Sequence, residues 1–163
     1  MVVIIDYNIG NVGSIKNMIT KIGYACTVSR NLDVIENATK LILPGVGSFD
    51  NGMKNLHNFE LFELLNRKVL IDKIPILGIC LGMQLMAKNS DEGVETGLGW
   101  ISAKVKKIEP NPSNDLTVPV IGWNYIKSVK DNPLLEGKNQ RFYFVHSYYF
   151  PVDTEGCMAT ADI

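Results

Sequence analysis

The sequence predicts an α/β fold, with a mostly parallel twisted sheet, helices on both faces and added antiparallel strands. Three observations predict it. Solid apolar runs recur at Val2–Ile5, Leu41–Leu43 and Ile76–Ile79, the pattern of strands buried on both faces. Stretches with helical spacing lie between them, so strands and helices alternate through the first half. After Lys88 the pattern changes to an alternation of apolar and polar residues with few helical signals.

In chain order, Val2-Val3-Ile4-Ile5 is the first strand and Asp6 to Asn11 a polar loop. Ile15, Met18, Ile19 and Ile22 then fall at i, i+3, i+4 and i+7, the spacing of one helix face. Gly23 stands where a helix C-cap would be. Ala25 to Val28 reads as the second strand, and Asn31 as the cap of a short helix around Val34 and Ile35. Leu41-Ile42-Leu43 is the third strand, stopped by Pro44-Gly45-Val46-Gly47. Phe59 to Val69 reads as a helix. Ile76 to Ile79 is the fourth strand and runs directly into Cys80, with a helix expected from Leu81 to Lys88. Trp100 to Ile108, Val118 to Val129 and Arg141 to Phe150 read as strands, expected to be antiparallel and to extend or flank the parallel core.

Composition narrows the function. A chain of 163 residues suits one domain, 1–163, that buries about 70% of its unfolded surface. Lys plus Arg number 16 and Asp plus Glu 17, a net charge of −1. That balance gives no footprint for nucleic acid or an anionic membrane surface. The longest uncharged stretch, Ile74 to Ala87, has 14 residues and is broken by Pro75, Gly78 and Gly82, too short to span a bilayer. The N-terminus lacks the basic start and cleavage site of a signal peptide. Cys26, Cys80 and Cys157 form no C-x-x-C pair, as fits a reducing cytoplasm. His57 and His146 are too far from any cysteine to make a compact zinc site, so neither metal nor cofactor is expected.

The sharpest local signal is Gly78-Ile79-Cys80-Leu81-Gly82, a G-x-C-x-G between a buried strand and a helix. This is the strand–turn–helix setting of a nucleophile elbow, with Cys in place of Ser. Flanking glycines let neighbouring backbone approach, the following helix aims its dipole at the sulfur, and the Leu81 N–H can donate to an oxyanion. Pro44-Gly45-Val46-Gly47 ends another strand on the side where open α/β sheets bind ligands, and its glycine-flanked peptides can turn an N–H toward the same oxyanion. Asp6 to Ser14 lacks both G-x-G-x-x-G and a Walker lysine, so it is no nucleotide loop. A thiol nucleophile also needs a base. His57 reads as a surface residue. His146, the one histidine downstream of Cys80, is nominated by sequence arithmetic, against the plainer reading of a hydrogen-bonded histidine within a strand.

These motifs stand in order with three more: Ser90-Asp91-Glu92-Gly93 with Gly97-Leu98-Gly99-Trp100, Gly122-Trp123-Asn124, and His146-Ser147-Tyr148. Together they resemble the class I (triad) glutamine amidotransferases. The nearest resemblance is to the glutaminase subunit family of imidazole glycerol phosphate synthase in histidine biosynthesis, to which Asp6-Tyr7-Asn8-Ile9-Gly10-Asn11 is also similar. The resemblance implies a flavodoxin-like fold and glutamine hydrolysis. Cys80 would form a glutamyl thioester, and the N–H groups of Val46 and Leu81 would make the oxyanion hole, Val46 after a peptide rearrangement. Gly45, Gly47, Gln84, Glu92, His146, Ser147 and Tyr148 would hold L-glutamine, so His146 becomes part of the substrate wall rather than the base. Asn8, Asn11 and Trp123 would face a (β/α)8 cyclase partner in a heterodimer.

The same family carries its base histidine and orienting acid in a C-terminal His-Pro-Glu segment, and this sequence contains no His-x-Glu. The expectation is a C-terminally incomplete domain rather than a degenerate paralogue, because an intact elbow serves no chemistry in a dead one. Such a chain would turn over poorly and leave a sheet edge uncovered. Three rivals remain. One is a glutaminase partner of a surface-polysaccharide sugar amidotransferase, separable by neighbouring genes. The second is a Cys-elbow hydrolase or glyoxalase-like protein, disfavoured by Gln84 and the Pro44–Gly47 loop. The third is a non-catalytic binding protein that kept the fold.

Overall fold

The computed structural model describes residues 1–111, 113, 116–131, 133–135 and 140–162. Its centre is a four-stranded parallel sheet in the order β2-β1-β3-β4, built from β1 (Val2–Ile5), β2 (Cys26–Ser29), β3 (Lys40–Leu43) and β4 (Ile76–Gly78). The apolar runs form the two inner strands: Val3, Ile4, Ile5, Leu41 and Leu43 are buried. Ile42 pairs with Ile4 on one side and Leu77 on the other. On the described residues β4 is an edge strand, with Leu77 54% and Ile79 36% exposed.

Helices α1 (Val12–Lys21) and α2 (Leu32–Glu36) are capped by Asn11 and Asn31, whose side-chain oxygens accept backbone N–H groups of the first turn. Gly23 follows α1 at φ 89 and takes the left-handed step that ends it. The apolar stripe of α1 is less buried than its spacing predicts. Ile15 and Ile19 are half-covered, while Met18 and Ile22 lie open to solvent.

Two helical expectations are corrected. The helix expected over 59–69 begins only at Leu61, because Glu60 at φ 58 breaks it from a preceding helix. It continues as α4 (Leu61–Asn66) and a π-helical turn, Arg67–Ile71. The sequence marks that preceding helix, α3 (Phe49–Asn58), only as an exposed-looking helical segment at His57, without its bounds or its core face. Its buried stripe is narrow, only Phe49, Gly52, Met53 and Leu56, and Leu85 packs on the bare Gly52 backbone.

The helix expected over 81–88 shrinks to the single turn α5 (Leu81–Gln84), and Ala87–Ser90 becomes β5. The carbonyls of Leu85, Met86, Ala87 and Lys88 are taken by N–H groups of Leu98, Ile101, Gly99 and Gly97, which hold this stretch extended. β5 pairs parallel with β6 (Ile101–Lys107), and β6 antiparallel with β9 (Tyr148–Tyr149). The parallel pair departs from the purely antiparallel expectation. β7 (Val120–Ser128), β8 (Arg141–His146) and β10 (Ala159–Ala161) make a separate antiparallel sheet, order β10-β7-β8. Ser147 separates β8 from β9, which splits the single strand expected over 141–150.

The main apolar core lies between the parallel sheet and helices α2 to α5, from Val3 to Leu98. Among the described residues no helix is long and apolar enough to cross a membrane, and no three His, Cys, Asp or Glu side chains gather to hold a metal ion.

Candidate active site

The elbow forms where β4 meets α5. Cys80 sits at φ 52, ψ −118, near the first central position of a type II′ turn, a conformation glycine favours. Strain of this kind in a non-glycine residue costs about 1–3 kcal/mol and holds only where surrounding structure enforces it. The enforcement is visible on both sides. A Cβ at Gly78 would lie 2.6 Å from Met83 Cα, and one at Gly82 would collide with the Leu43 carbonyl. The turn is closed by Gly82 N–H to Ile79 O at 3.0 Å and Met83 N–H to Cys80 O at 3.0 Å. The sulfur-bearing residue is exposed, and Leu81, first in α5, has no intrahelical acceptor for its N–H. The long helix dipole expected behind the sulfur is absent, since α5 has only four residues.

Cys80 opens into a cleft of about 370 Å³. Leu81 and Gln84 share its wall of the cleft, and Val46 and Gly47 face it from the loop after β3. Glu92 and the run His146-Ser147-Tyr148 complete it. Ten of the sequence-nominated residues are thus settled as follows: nine line one cleft, and Gly45 does not. Gly45 is buried and lies back to back with the elbow, where a Cβ would run into Gly82 N and sit 2.8 Å from Leu81 Cβ. The absence of a side chain at Gly45 serves this close packing. Two lining residues, Pro119 and Val145, escaped the sequence reading. Their signal is the pairing of β7 with β8, Val120 opposite His146, which a single sequence does not display.

The polar groups are tied together. Gln84 is 8% exposed and its Nε2 donates to the Tyr148 carbonyl at 3.3 Å. His146 Nδ1 lies 3.0 Å from the same carbonyl, so that nitrogen carries the proton and donates. Nε2 of His146 is buried without a partner among the described residues. Glu92 Oε2 accepts the Phe49 N–H at 2.9 Å and so caps α3, whose N-cap Ser48 makes no side-chain bond. Asp50, in the first turn of α3, accepts the N–H groups of Val94 and Glu95, both at 3.0 Å. The Glu95 N–H, then that of Val94 and the charge of Lys54, hold the Asp50 carboxyl below its ordinary 3.8. These bonds fix the 92–95 loop beside the cleft.

His57 is exposed on α3, stacks on Phe62 at 4.4 Å and stays outside the cleft. Asn8, Asn11 and Trp123 also lie outside it. Asn8 accepts from Arg30 at 2.8 Å, and Asn11 caps α1. Trp123 is 59% exposed, which rules out a core role. It meets Tyr143 edge-on at 5.6 Å, with the Arg141 guanidinium 5.5 Å from its ring.

The family profile "Glutamine amidotransferase class-I" matches residues 3–161. The chain belongs to the class I glutamine amidotransferases. Several curated relatives in this family are HisH subunits of imidazole glycerol phosphate synthase. The chain is 54% identical to imidazole glycerol phosphate synthase subunit HisH 2 of Methanococcus maripaludis, over 91% of this chain and 74% of that protein. It is 43% identical to HisH of Leptospira interrogans, over 95% and 78%, and 42% identical to HisH 2 of Pseudomonas aeruginosa, over 99% and 81%. A solved glutamine amidotransferase superimposes with a TM-score of 0.75 at 20% identity, covering 98% of this chain and 79% of that one. That likeness fixes the amidotransferase fold, including its parallel sheet and added antiparallel strands.

Proposed function

We propose that this amidotransferase is the glutaminase subunit of an imidazole glycerol phosphate synthase. It hydrolyses L-glutamine to glutamate and ammonia and passes the ammonia to a (β/α)8 cyclase of histidine biosynthesis, which makes imidazole glycerol phosphate and AICAR. The carrying observation is the cleft itself. It brings a strained, exposed cysteine together with a glycine-flanked loop, a buried amide and a carboxylate. The HisH names of the relatives support the same reading.

The Cys80 sulfur attacks the side-chain carboxamide carbon. The oxygen takes the negative charge and is held by the N–H groups of Leu81 and Val46. The C–N bond breaks, the thiol proton leaves with the ammonia, and a glutamyl thioester remains. Water then cleaves the thioester to glutamate and restores the thiol. Glu92 keeps one oxygen on Phe49 and turns the other to the substrate ammonium, with Gln84 and the backbone at Gly47, Ser147 and Tyr148 completing the grip. His146 forms the wall, its Nδ1 proton committed to Tyr148.

The partner surface is the open face of β7–β8. Ile121, Trp123, Tyr125, Tyr143 and Val145 are each more than half exposed, and cross-strand pairing sets Ile121 opposite Val145 and Trp123 opposite Tyr143 on one face. Val145 also lines the cleft, so this apolar face reaches the point where ammonia is released. Asn8 and Asn11 add a polar edge to the interface in this reading.

A chloromethyl ketone analogue of glutamine tests the assignment, because the sulfur displaces chloride only after the analogue is seated. Peptide mapping should find it on Cys80, sparing Cys26 and Cys157, with L-glutamine protecting. Equal labelling of the three cysteines, or no protection, sinks the proposal. Ammonia transfer to a purified cyclase separates the histidine reading from a polysaccharide amidotransferase partner.

A further inference from the structure

We infer that Tyr7 is a positioning residue for the oxyanion loop. The inference rests on the reading of Cys80 as the thioester-forming nucleophile. Tyr7 stands at the carboxyl end of β1, in no contact that the proposed chemistry uses, yet its side chain is fully buried. Its hydroxyl donates to the Pro44 carbonyl at 2.5 Å. Burial raises the hydroxyl well above its ordinary range, so it stays a proton donor at any working pH. The Tyr7 carbonyl is itself held by Asn55 Nδ2 of α3 at 2.9 Å.

Pro44 begins the Pro44–Gly47 loop, and it is clamped from three directions. Tyr7 holds its carbonyl. Gly10 approaches its ring so closely that a Cβ there would lie 2.9 Å from Pro44 Cβ. The elbow closes the remaining side, since a Cβ at Gly82 would lie 3.0 Å from the Pro44 carbonyl carbon. Beyond Gly45 the loop is open to solvent. Val46 is 59% exposed between Gly45 and Gly47, and Gly47 adopts φ 98. The loop is thus a peptide with one anchored root and one turning segment. Tyr7 sets the plane of the Pro44–Gly45 peptide, and Gly45, packed against Gly82 and Leu81, carries that orientation into the Gly45–Val46 peptide whose N–H would serve the carbonyl at Cys80.

The plain alternative is that Tyr7 only satisfies a buried carbonyl. Two electrophiles separate the readings in the Tyr7→Phe variant of the full chain. Iodoacetamide alkylates Cys80 by direct displacement and needs no oxyanion hole. The chloromethyl ketone analogue of glutamine places its ketone oxygen in the hole as the sulfur reacts. Tyr7→Phe should slow the chloroketone about 10-fold, less than the roughly 10²–10³ that loss of a hole donor itself costs, and leave the iodoacetamide rate within about 2-fold. Unchanged rates for both reagents, or a parallel fall in both, overturn the inference. If the wild-type chain gives no glutamine-protected labelling, the glutaminase reading fails instead, and the two failures are distinct. Should Tyr7→Phe not fold, Gly10→Ala pushes Pro44 from the other side with the hydroxyl intact. Selective slowing of the chloroketone then supports the inference, and unchanged or parallel rates overturn it.

Discussion

The parallel half of the molecule and the β7–β8–β10 sheet solve burial in opposite ways. In the parallel half, strands β1 and β3 are covered on both faces, and helices α3 to α5 close the core. The antiparallel sheet adds Val120 to the buried set and leaves five large apolar or aromatic side chains on one face in solvent. The proposed nucleophile, its elbow and the root of the proposed oxyanion loop all belong to the packed half. Much of the substrate wall and the whole aromatic face belong to the other. Reactive geometry needs residues locked by packing, and an open sheet face needs something to cover it. On the proposed function, the difference between the halves is a division between chemistry and docking.

Large-to-small substitutions offer the strongest way to break this comparison. Leu43→Ala in β3 removes a fully buried side chain and should lower unfolding stability by about 2–5 kcal/mol in a denaturant titration. Tyr125→Ala on the open face should stay within about 0.5 kcal/mol. Similar losses at both positions would show that the two halves share one core. Next in size is Trp123→Ala. It should weaken cyclase binding by about 2 kcal/mol, some 30-fold in Kd by calorimetry, with the thermal midpoint nearly unchanged. Unaltered binding would remove the aromatic face from the interface.

A smaller effect is expected at Gln84, which bonds to Tyr148 of β9, just beyond the end of β8. Gln84→Ala should weaken glutamine protection of Cys80 about 10-fold and cost about 1 kcal/mol of stability, because that bond is partly buried. The smallest effect is a pH dependence at Asp50. A carboxyl held below 3.8 in the folded state contributes stability above that value and loses it as pH falls through the lower folded value. An acid titration of the thermal midpoint should therefore steepen below about pH 4 in wild type and flatten in Asp50→Asn. A wild-type curve that matches the variant would leave the 92–95 loop without its acidic clamp.

What was legible in the sequence follows the same division. β1, β3 and β4 announce themselves because strands covered on both faces must be apolar throughout, and the elbow because its glycines meet backbone on either side. Asn31 and Gly23 mark their helix ends through local bonding and local φ. The extent and core face of α3 are illegible because its core contact is made by a glycine and three apolar residues in an otherwise polar segment. The turn from α5 into β5 is illegible for a different reason. Leu85 to Lys88 have helical spacing, but the 97–101 segment supplies N–H groups that hold them extended, and nothing near residue 85 encodes that supply. Pro119 and Val145 enter the cleft only through β7–β8 pairing. The resemblance makes Glu92 a holder of L-glutamine. Its bond to Phe49 gives it a second duty as the cap of α3, so Glu92 variants will register in stability as well as affinity.

The backbone at Cys80 has a consequence for mutational drift. At φ 52, ψ −118 a glycine would rest without strain, whereas the cysteine holds there at a cost of about 1–3 kcal/mol. Most proteins sit close above a stability threshold. A lineage that stopped using the thiol would therefore find the replacement Cys80→Gly both reachable and favourable, and would shed its nucleophile before it shed its fold. The elbow is a feature that disuse would erode quickly, and on the proposed function the cysteine keeps this angle only while its thiol is used.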